Sequence, residues 1–340
     1  MVSLKTIAER CGVSTATVSK ALNDHKDISE ETKNRVKQTA EALGYFPNAA
    51  ARALKTNRSY NIGVLFEEEA GRGLTHEYFS GVLNGLKIQA EKLRYDITFI
   101  NTCFENRKMS YYEHCRYRNF EGVVIVCANF DDPDVIELMN SEIPVVTIDY
   151  VHHNCTAVTS NNIQGMEDLV KYIYSQGHRK IAYIHGQEGS SVTRDRLASF
   201  YRTIDELGLE IPDTYVRSAD YLETKGSAKQ TKELLNLEDP PTCIIYPDDT
   251  SLIGGRNVII EMGLRIPRDI SVAGYDGTMI SQLLYPKLTT IRQNTEMIGS
   301  EAATRLIGTI EKPRTTLVER VVIEGSLVPG QSVGAIQPKG

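Results

Sequence analysis

Three acidic residues of this 340-residue chain stand just after short apolar runs. Asp149 and Asp276 directly follow the runs 145–148 and 272–275, and Asp249 comes shortly after a third run. Apolar runs of this length that contain β-branched residues are typical of strands. Because ligands of open α/β sheets sit beyond the carboxyl ends of the strands, we expect these carboxylates to line one cleft.

The same cleft is expected to contain a hydrogen-bond donor and several aromatic rings. Arg196 lies near the start of a predicted helix, and flat apolar faces would come from Phe79, Tyr150 and Tyr221. Carboxylates accept hydrogen bonds from hydroxyl groups, arginine donates them, and aromatic faces pack on a ring, so the set suits a sugar. Each acid taken alone is more typical of a solvated loop, and the interpretation therefore depends on their joint placement.

Sequence motifs of catalytic and metal sites are missing. The chain contains no phosphate-binding loop, no Gly-x-Ser-x-Gly and no dinucleotide fingerprint after a strand. His76-Glu77 begins a zinc-hydrolase pattern, but Ser80 stands where the second histidine is needed. The soft ligands of His152-His153-Asn154-Cys155 are too close in sequence to converge readily on one ion. We therefore expect no enzyme activity, no metal and no cofactor.

Strands alternate with helices over most of the chain, which predicts an α/β fold with parallel sheets covered on both faces. The predicted strands are 62–66, 97–100, 123–127, 145–148, 181–184, 244–246 and 272–275, and the predicted helices are 78–93, 166–173, 197–207, 228–235 and 252–262. The strands and helices form two successive alternating series. Two such series favour two similar lobes over one large sheet.

The charge is divided unevenly along the chain. Residues 1–60 carry 10 Lys+Arg and 6 Asp+Glu, a net +4, so the remaining residues, with 28 and 38, carry a net −10. A small basic head on a large acidic body suggests a module that binds a polyanion. The apolar runs are too short to span a membrane, no signal peptide precedes the first helix, and the six cysteines are scattered, so we expect a cytoplasmic protein without membrane contact.

The basic head has the pattern of a helix-turn-helix. Ser3, Ser14 and Ser29 can cap three successive helices, and Gly12 can make the tight turn between the first two. In such a motif the second helix enters the major groove of DNA. Its candidate base-reading residues are Thr15, Ala16, Ser19 and Lys20, and its candidate phosphate contacts are Thr17 and Asn23. A three-helix domain that binds protein is the alternative.

The segment after the head is a short alanine-rich stretch that begins at Pro47. An isolated helix of this length is marginal in water, so we expect it to become ordered only on contact with a partner. Leu54 could wedge between base steps of the minor groove, with Arg52 and Lys55 as cationic neighbours.

Residues of both halves carry a family resemblance. The motifs are Thr6-Ile7-Ala8, Gly12-Val13-Ser14, Thr17-Val18-Ser19, Leu43-Gly44-Tyr45, Pro47-Asn48, Ala51-Arg52-Ala53-Leu54, Gly177-His178-Arg179, Arg196-Leu197, Gly274-Tyr275-Asp276 and Leu288-Thr289-Thr290. The chain resembles the lac repressor/galactose repressor (LacI–GalR) family of transcriptional regulators over about residues 1–325.

The resemblance implies an N-terminal all-α helix-turn-helix head and a periplasmic-binding-protein-like core of two doubly wound α/β lobes joined by three crossovers. The expected boundaries are 1–46 for the head, 47–60 for the hinge helix and linker, 61–160 with 291–320 for the first lobe, and 161–290 with 321–340 for the second lobe. It implies a homodimer on a double-stranded DNA operator, with a small-molecule effector bound by the seven cleft residues named above.

Two departures from the family pattern leave the effector open. The loop 67–76 is longer and more acidic than usual, and the chain has no tryptophan. A repressor gated by a sugar is the principal reading. The alternatives are the same DNA-binding role gated by a nucleobase or by a partner protein, and a sugar-binding enzyme.

Overall fold

The computed structural model describes residues 2–46, 53, 58–67, 71, 73–104 and 107–336 of the chain. The chain divides into two compact units, Met1–Ser59 and Tyr60–Gly340. The hinge residues Arg52, Leu54 and Lys55 lie outside the described residues.

Residues 2–46 of the first unit form three helices. They are α1 (Leu4–Cys11), α2 (Thr15–Leu22) and α3 (Glu30–Ala42). The predicted caps are confirmed: the side chains of Ser3, Ser14 and Ser29 accept hydrogen bonds from the backbone N–H groups of the first turns. Gly12 adopts φ +63°, the left-handed conformation that the tight turn between α1 and α2 requires.

A small apolar core holds these helices together, since short helices depend on tertiary packing for most of their stability. All three helices contribute to it. Its buried residues are Ile7, Ala8, Cys11, Val18, Ala21, Val36 and Ala40.

The first lobe of the second unit is built on a six-stranded parallel sheet with the order β13-β7-β6-β5-β1-β2. Its strands are β1 (Asn61–Phe66), β2 (Asp96–Phe99), β5 (Val123–Cys127), β6 (Val145–Ile148), β7 (Thr156–Ser160) and β13 (Arg320–Ile323). Its helices are α4 (Glu77–Lys92), α5 (Tyr111–Arg118), α6 (Pro133–Met139) and α12 (Thr295–Glu311). A small ladder pairs β3 (Cys103–Phe104) with β4 (Arg107–Lys108).

Two glycines set the close packing of α4 on α12. A Cβ at Gly299 would lie 1.9 Å from the carbonyl oxygen of Val82, and a Cβ at Gly85 would lie 2.1 Å from that of Glu296. Any side chain at either position would force the two helices apart. The glycines therefore let α12 pack closely on α4, the helix that follows β1, although the two helices are distant in sequence.

The second lobe is built on a four-stranded parallel sheet with the order β11-β10-β8-β9. Its strands are β8 (Ile181–His185), β9 (Val216–Ser218), β10 (Cys243–Ile245) and β11 (Ser271–Ala273). Its helices are α7 (Asn162–Ser175), α8 (Ser191–Glu206), α9 (Thr224–Leu235), α10 (Asp249–Glu261) and α11 (Met279–Leu283). The antiparallel pair of β12 (Thr290–Arg292) and β14 (Ser326–Val328) completes the described elements.

The chain passes between the two lobes three times, after β7, after β12 and after β13, as the resemblance implies. Two predicted boundaries fall inside strands. The boundary at 290/291 falls inside β12, which pairs with β14, and the boundary at 320/321 falls inside β13, which pairs with β7 at the edge of the first sheet. The register joins Arg320 to Ala157, a pairing across more than 160 residues that local sequence does not reveal.

Candidate functional site

Helix α2 presents a polar surface to solvent in the first unit. Thr15, Ala16 and Lys20 are exposed, Ser19 is half-buried, and Val18 is buried in the core. The four residues that were predicted to read bases therefore lie on α2 outside the face that packs into the core through Val18.

Several polar groups of this surface already have partners within the head. The Lys20 ammonium donates to Asp27, and this hydrogen bond lowers the pKa of the Asp27 carboxyl. The Thr17 hydroxyl bonds to that of Ser14 at 2.9 Å, and the Asn23 amide donates to the Ser19 carbonyl at 2.7 Å. A phosphate or base contact by these side chains must therefore replace or share an existing hydrogen bond.

In the second unit, Asp149 stands at the carboxyl end of β6 with φ +53°. Its carboxylate accepts hydrogen bonds from the Tyr78 hydroxyl at 2.5 Å and the Ser160 backbone N–H at 2.7 Å. Its carbonyl accepts from the Ser191 hydroxyl of the other lobe at 2.6 Å. Burial raises the pKa of this carboxyl, and the bond from Tyr78 opposes the rise.

Arg196 is buried on α8, with 3% of its surface exposed. Its guanidinium donates to the Asn162 side chain at 2.8 Å and to the Pro247 carbonyl at 3.0 Å, and it lies 3.6 Å from the centre of the Tyr275 ring. One terminal nitrogen lies 3.8 Å from a carboxylate oxygen of Asp276. The arginine is thus held rigidly, with its charge beside that carboxylate.

Asp276 follows β11 and adopts φ +94°. Its carboxylate accepts from the Gln293 amide at 2.6 Å. Burial raises the pKa of Asp276 to about 6, although the neighbouring Arg196 charge opposes this rise. The carboxyl therefore changes protonation close to neutral pH.

Asp249 lies beneath the cleft, not at its surface. It is fully buried, and its two carboxylate oxygens accept from the Thr290 hydroxyl at 2.8 Å and from the Thr278 N–H and hydroxyl at 2.8 and 3.0 Å. Because all these partners belong to its own lobe, the side chain fastens the loop after β11. Ligand contact by Asp249 therefore stays a prediction from the sequence.

The predicted aromatic residues occupy different surroundings. Tyr150 stacks on Phe130 with ring centres 3.8 Å apart and planes inclined by 3°. The Tyr221 hydroxyl bonds to that of Thr193 at 2.8 Å. Phe79 is half-buried and packs edge-on against Phe66, with ring centres 5.3 Å apart, at the margin of the first lobe's core.

A cavity of about 180 Å³ opens between the lobes beside Asp149 and Tyr150. The sequence missed its other polar lining residues, which are Thr159, Asn162, Ser191, Arg194, Asp195 and Arg320. Asn162 and Thr159 flank the end of β7. This strand was not predicted because its sequence contains no continuous apolar run. Recognition of β7 would have placed them at the cleft by the same argument that placed Asp149.

Polar contacts join the lobes around this cavity. Beside the Ser191 contact, the Met279 N–H donates to Glu77 at 2.6 Å, and Arg320 lies 3.7 Å from Asp195. These polar groups bridge the cleft, and a ligand that binds there can replace their present partners.

In the ranges that the structure describes, no group of three or more His, Cys, Asp or Glu side chains is arranged to hold a metal ion. Among the same residues no helix combines the length and the apolar character that crossing a membrane demands.

Two family models match the chain. Residues 3–48 match that of the bacterial regulatory proteins of the lacI family, and residues 170–333 match that of a periplasmic binding protein-like domain.

Relatives and a solved structure match nearly the whole length. The probable HTH-type transcriptional repressor ExuR of Bacillus subtilis (strain 168) is 30% identical over 318 residues, which cover 93% of each chain. The HTH-type transcriptional repressor PurR of Mannheimia succiniciproducens is 29% identical, with 99% of this chain and 100% of the relative covered. The crystal structure of the lac repressor dimer bound to operator and the anti-inducer ONPF superposes with a TM-score of 0.81 at 26% identity, covering 98% of this chain and 99% of that one.

Proposed function

Because the chain belongs to the lacI family of bacterial regulatory proteins and is a DNA-binding transcriptional regulator, we propose that it is a repressor whose operator affinity is set by a sugar-like small molecule. The observation that carries the proposal is the cleft of the second unit. There, Asp149 from one lobe and the buried pair Arg196–Asp276 from the other lie at the carboxyl ends of two parallel sheets.

The chemistry of the cleft favours a polyhydroxylated ring. The buried carboxylates of Asp149 and Asp276 can accept hydrogen bonds from ligand hydroxyl groups, while arginine and asparagine side chains can donate them. A ligand hydroxyl that replaces Tyr78 at Asp149 or Gln293 at Asp276 keeps the buried oxygens satisfied.

A nucleobase is the second candidate effector. Tyr150 lines the cavity and its ring stacks on Phe130, so an aromatic surface is available to a planar ligand. A relative named PurR adds weight to this candidate.

Calorimetric titration of the full chain with a panel of neutral sugars and a panel of purines tests the proposal. We expect a sugar to bind and to change operator affinity roughly 5–150-fold, the usual range of allosteric coupling. If only purines bind, the effector is a nucleobase and not a sugar. Binding without any effect on operator affinity would contradict the regulatory role.

Asp276→Asn should weaken binding of that effector by about tenfold or more, since the buried carboxylate is a strong acceptor. Binding to the unaltered protein should also weaken below pH 6, because the carboxyl, with a pKa of about 6, is then protonated. The matched control is Asp205→Asn, an exposed acid on α8. Equal loss in both variants, or pH-independent binding, would contradict a ligand contact by Asp276.

The coupling that we propose runs through the hinge. Effector binding exchanges the contacts that bridge the lobes, and this change sets how tightly the protein binds its operator. Leu54 as a minor-groove wedge and its neighbours Arg52 and Lys55 remain predictions from the sequence.

Lys20→Ala should relax the operator preference at one base position by about 1–3 kcal/mol, because a lysine on α2 can donate to guanine. Lys55→Ala, in contrast, should weaken binding evenly across sequences, since a cation beside the backbone carries no base information. Selection of binding sites from a random pool measures both effects. Identical sequence logos for the two variants would refute the division of roles.

We also propose that the regulator acts as a homodimer. The large apolar side chains of Met279, Leu283 and Tyr285 are 66%, 74% and 82% exposed on one short segment of the second lobe. Large apolar side chains exposed together on one segment are typical of an interface.

Tyr285→Asp should therefore shift the protein from dimer to monomer in light scattering coupled to gel filtration, since a buried unpaired charge opposes association. Leu317→Asp is the matched control, because Leu317 is 81% exposed and lies outside this segment. A dimer that survives Tyr285→Asp and dissociates with Leu317→Asp would place the interface elsewhere.

A further inference from the structure

The second lobe carries a cavity of about 490 Å³ whose lining shares no residue with the cleft. It lies against α9 and the edge strand β9, and it is lined by Arg217, Lys229, Lys232, Glu233, Asn236 and Leu237. Its volume falls within the roughly 300–1,000 Å³ that is common for small-molecule sites.

The lining is strongly basic for its surroundings. Arg217, Lys229 and Lys232 face a single acid, Glu233, whereas residues 61–340 together carry a net charge of −10. No carboxylate of the described residues pairs with any of these three cations. An acidic domain thus keeps a cavity with an uncompensated positive charge, which attracts anions.

Arg217 supplies a second, independent observation. Its Nε is buried and has no hydrogen-bond partner within the described chain. Buried donors are almost always paired in folded proteins, so this unpaired donor can take an acceptor from outside the chain. Arg196, the buried arginine of the cleft, differs in that its Nε and one terminal nitrogen are used by the protein itself.

The combination of one arginine and two lysines selects the kind of acceptor. Arginine presents a planar fork of N–H groups that matches two phosphate oxygens, and lysine adds a compact charge. With Glu233 included the lining carries +2, which balances a phosphate dianion, and Leu237 offers an apolar surface for the remainder of a ligand.

We propose that this cavity binds the phosphate group of a small phosphorylated molecule. The site gives the regulator a second ligand, chemically distinct from the one in the cleft. It does not depend on the identity of that first effector.

Calorimetry of the full chain with inorganic phosphate and pyrophosphate, at constant ionic strength, tests the proposal. Saturable binding is expected, and the double variant Lys229→Gln/Lys232→Gln should weaken it by about tenfold or more. Both lysines are exposed, so the variant should fold, which its thermal unfolding checks. Lys225→Gln, an exposed lysine of the same helix outside the cavity lining, should bind phosphate like the unaltered protein.

Three results would overturn the assignment. The first is no binding of either anion up to about 10 mM, a concentration at which even weak phosphate sites fill. The second is an equal loss in the control and the double variant, which would indicate unspecific attraction. The third is equally tight binding of succinate, a dicarboxylate of the same charge, which would exclude selection of phosphate. Arg217→Gln adds a further check, since it should remove the binding while the cleft still responds to its own effector.

Discussion

Arg196→Gln should lower the free energy of unfolding of the second unit by about 3–5 kcal/mol, the usual cost of removing one partner from a buried ion pair. Arg196 is buried, and its guanidinium stands 3.8 Å from Asp276 and 3.6 Å from the Tyr275 ring. Glutamine leaves the Asp276 carboxylate without its cation, and it forfeits the hydrogen bonds to Asn162 and Pro247. Denaturant unfolding of the full chain, followed by fluorescence of the tyrosines, measures the loss.

An arginine in the same helix serves as the matched control. Arg202 is half exposed and pairs with Glu167 at 2.8 Å and with Glu206 at 3.5 Å. Exposed ion pairs contribute about 0–1 kcal/mol, so Arg202→Gln should change stability little. If both variants lost the same small amount, Arg196 would not be the electrostatic centre of the cleft.

Local sequence was sufficient to predict the head. Ser14 and Gly12 act through their immediate neighbours, because a cap bonds within one turn and a left-handed residue depends on its own backbone. Most strands of the body that form apolar runs were predictable for the same reason.

Strands without such runs were missed. Residues 156–160 read Thr-Ala-Val-Thr-Ser, yet β7 is fully buried because β6 and β13 flank it. The partner strand β13 arrives from the far end of the chain, and pairing over that distance depends on tertiary contacts that no local window contains.

The cleft contains residues whose placement followed from the sequence and one residue, Tyr78, whose placement did not. Asp149 and Asp276 each lie beyond the carboxyl end of a parallel strand in the sheet of their own lobe, a rule that applies without coordinates. The aromatic side chain that bonds to Asp149 is Tyr78, one position before the predicted Phe79, which is half-buried and packs against Phe66. A shift of one position rotates a side chain by 100° around the helix axis. The spacing of apolar residues does not define the faces of a helix that finely.

Asp249 is expected to make stability fall as the pH rises, the reverse of the common behaviour of acids. Burial raises the pKa of Asp249 to about 8, and the nearby charge of Asp276 adds to the rise. In the unfolded chain an aspartate has a pKa of about 3.9. Between these values the folded state holds a proton that the unfolded state has released, so this stabilisation is complete below the unfolded pKa and is lost as the pH rises through the folded one.

Asp249→Asn isolates this contribution, since asparagine has nearly the same shape and does not titrate. The free energy of unfolding of the unaltered protein, minus that of the variant, should fall by about 4 kcal/mol between pH 5 and pH 9. Denaturant unfolding at intervals of one pH unit measures the difference, from which the groups common to both proteins largely cancel. Asp205→Asn, at an exposed position of α8, should give a flat difference over the same range. Parallel curves for Asp249→Asn would mean that the carboxylate stays ionised in the folded protein, held by the three hydrogen bonds from Thr278 and Thr290.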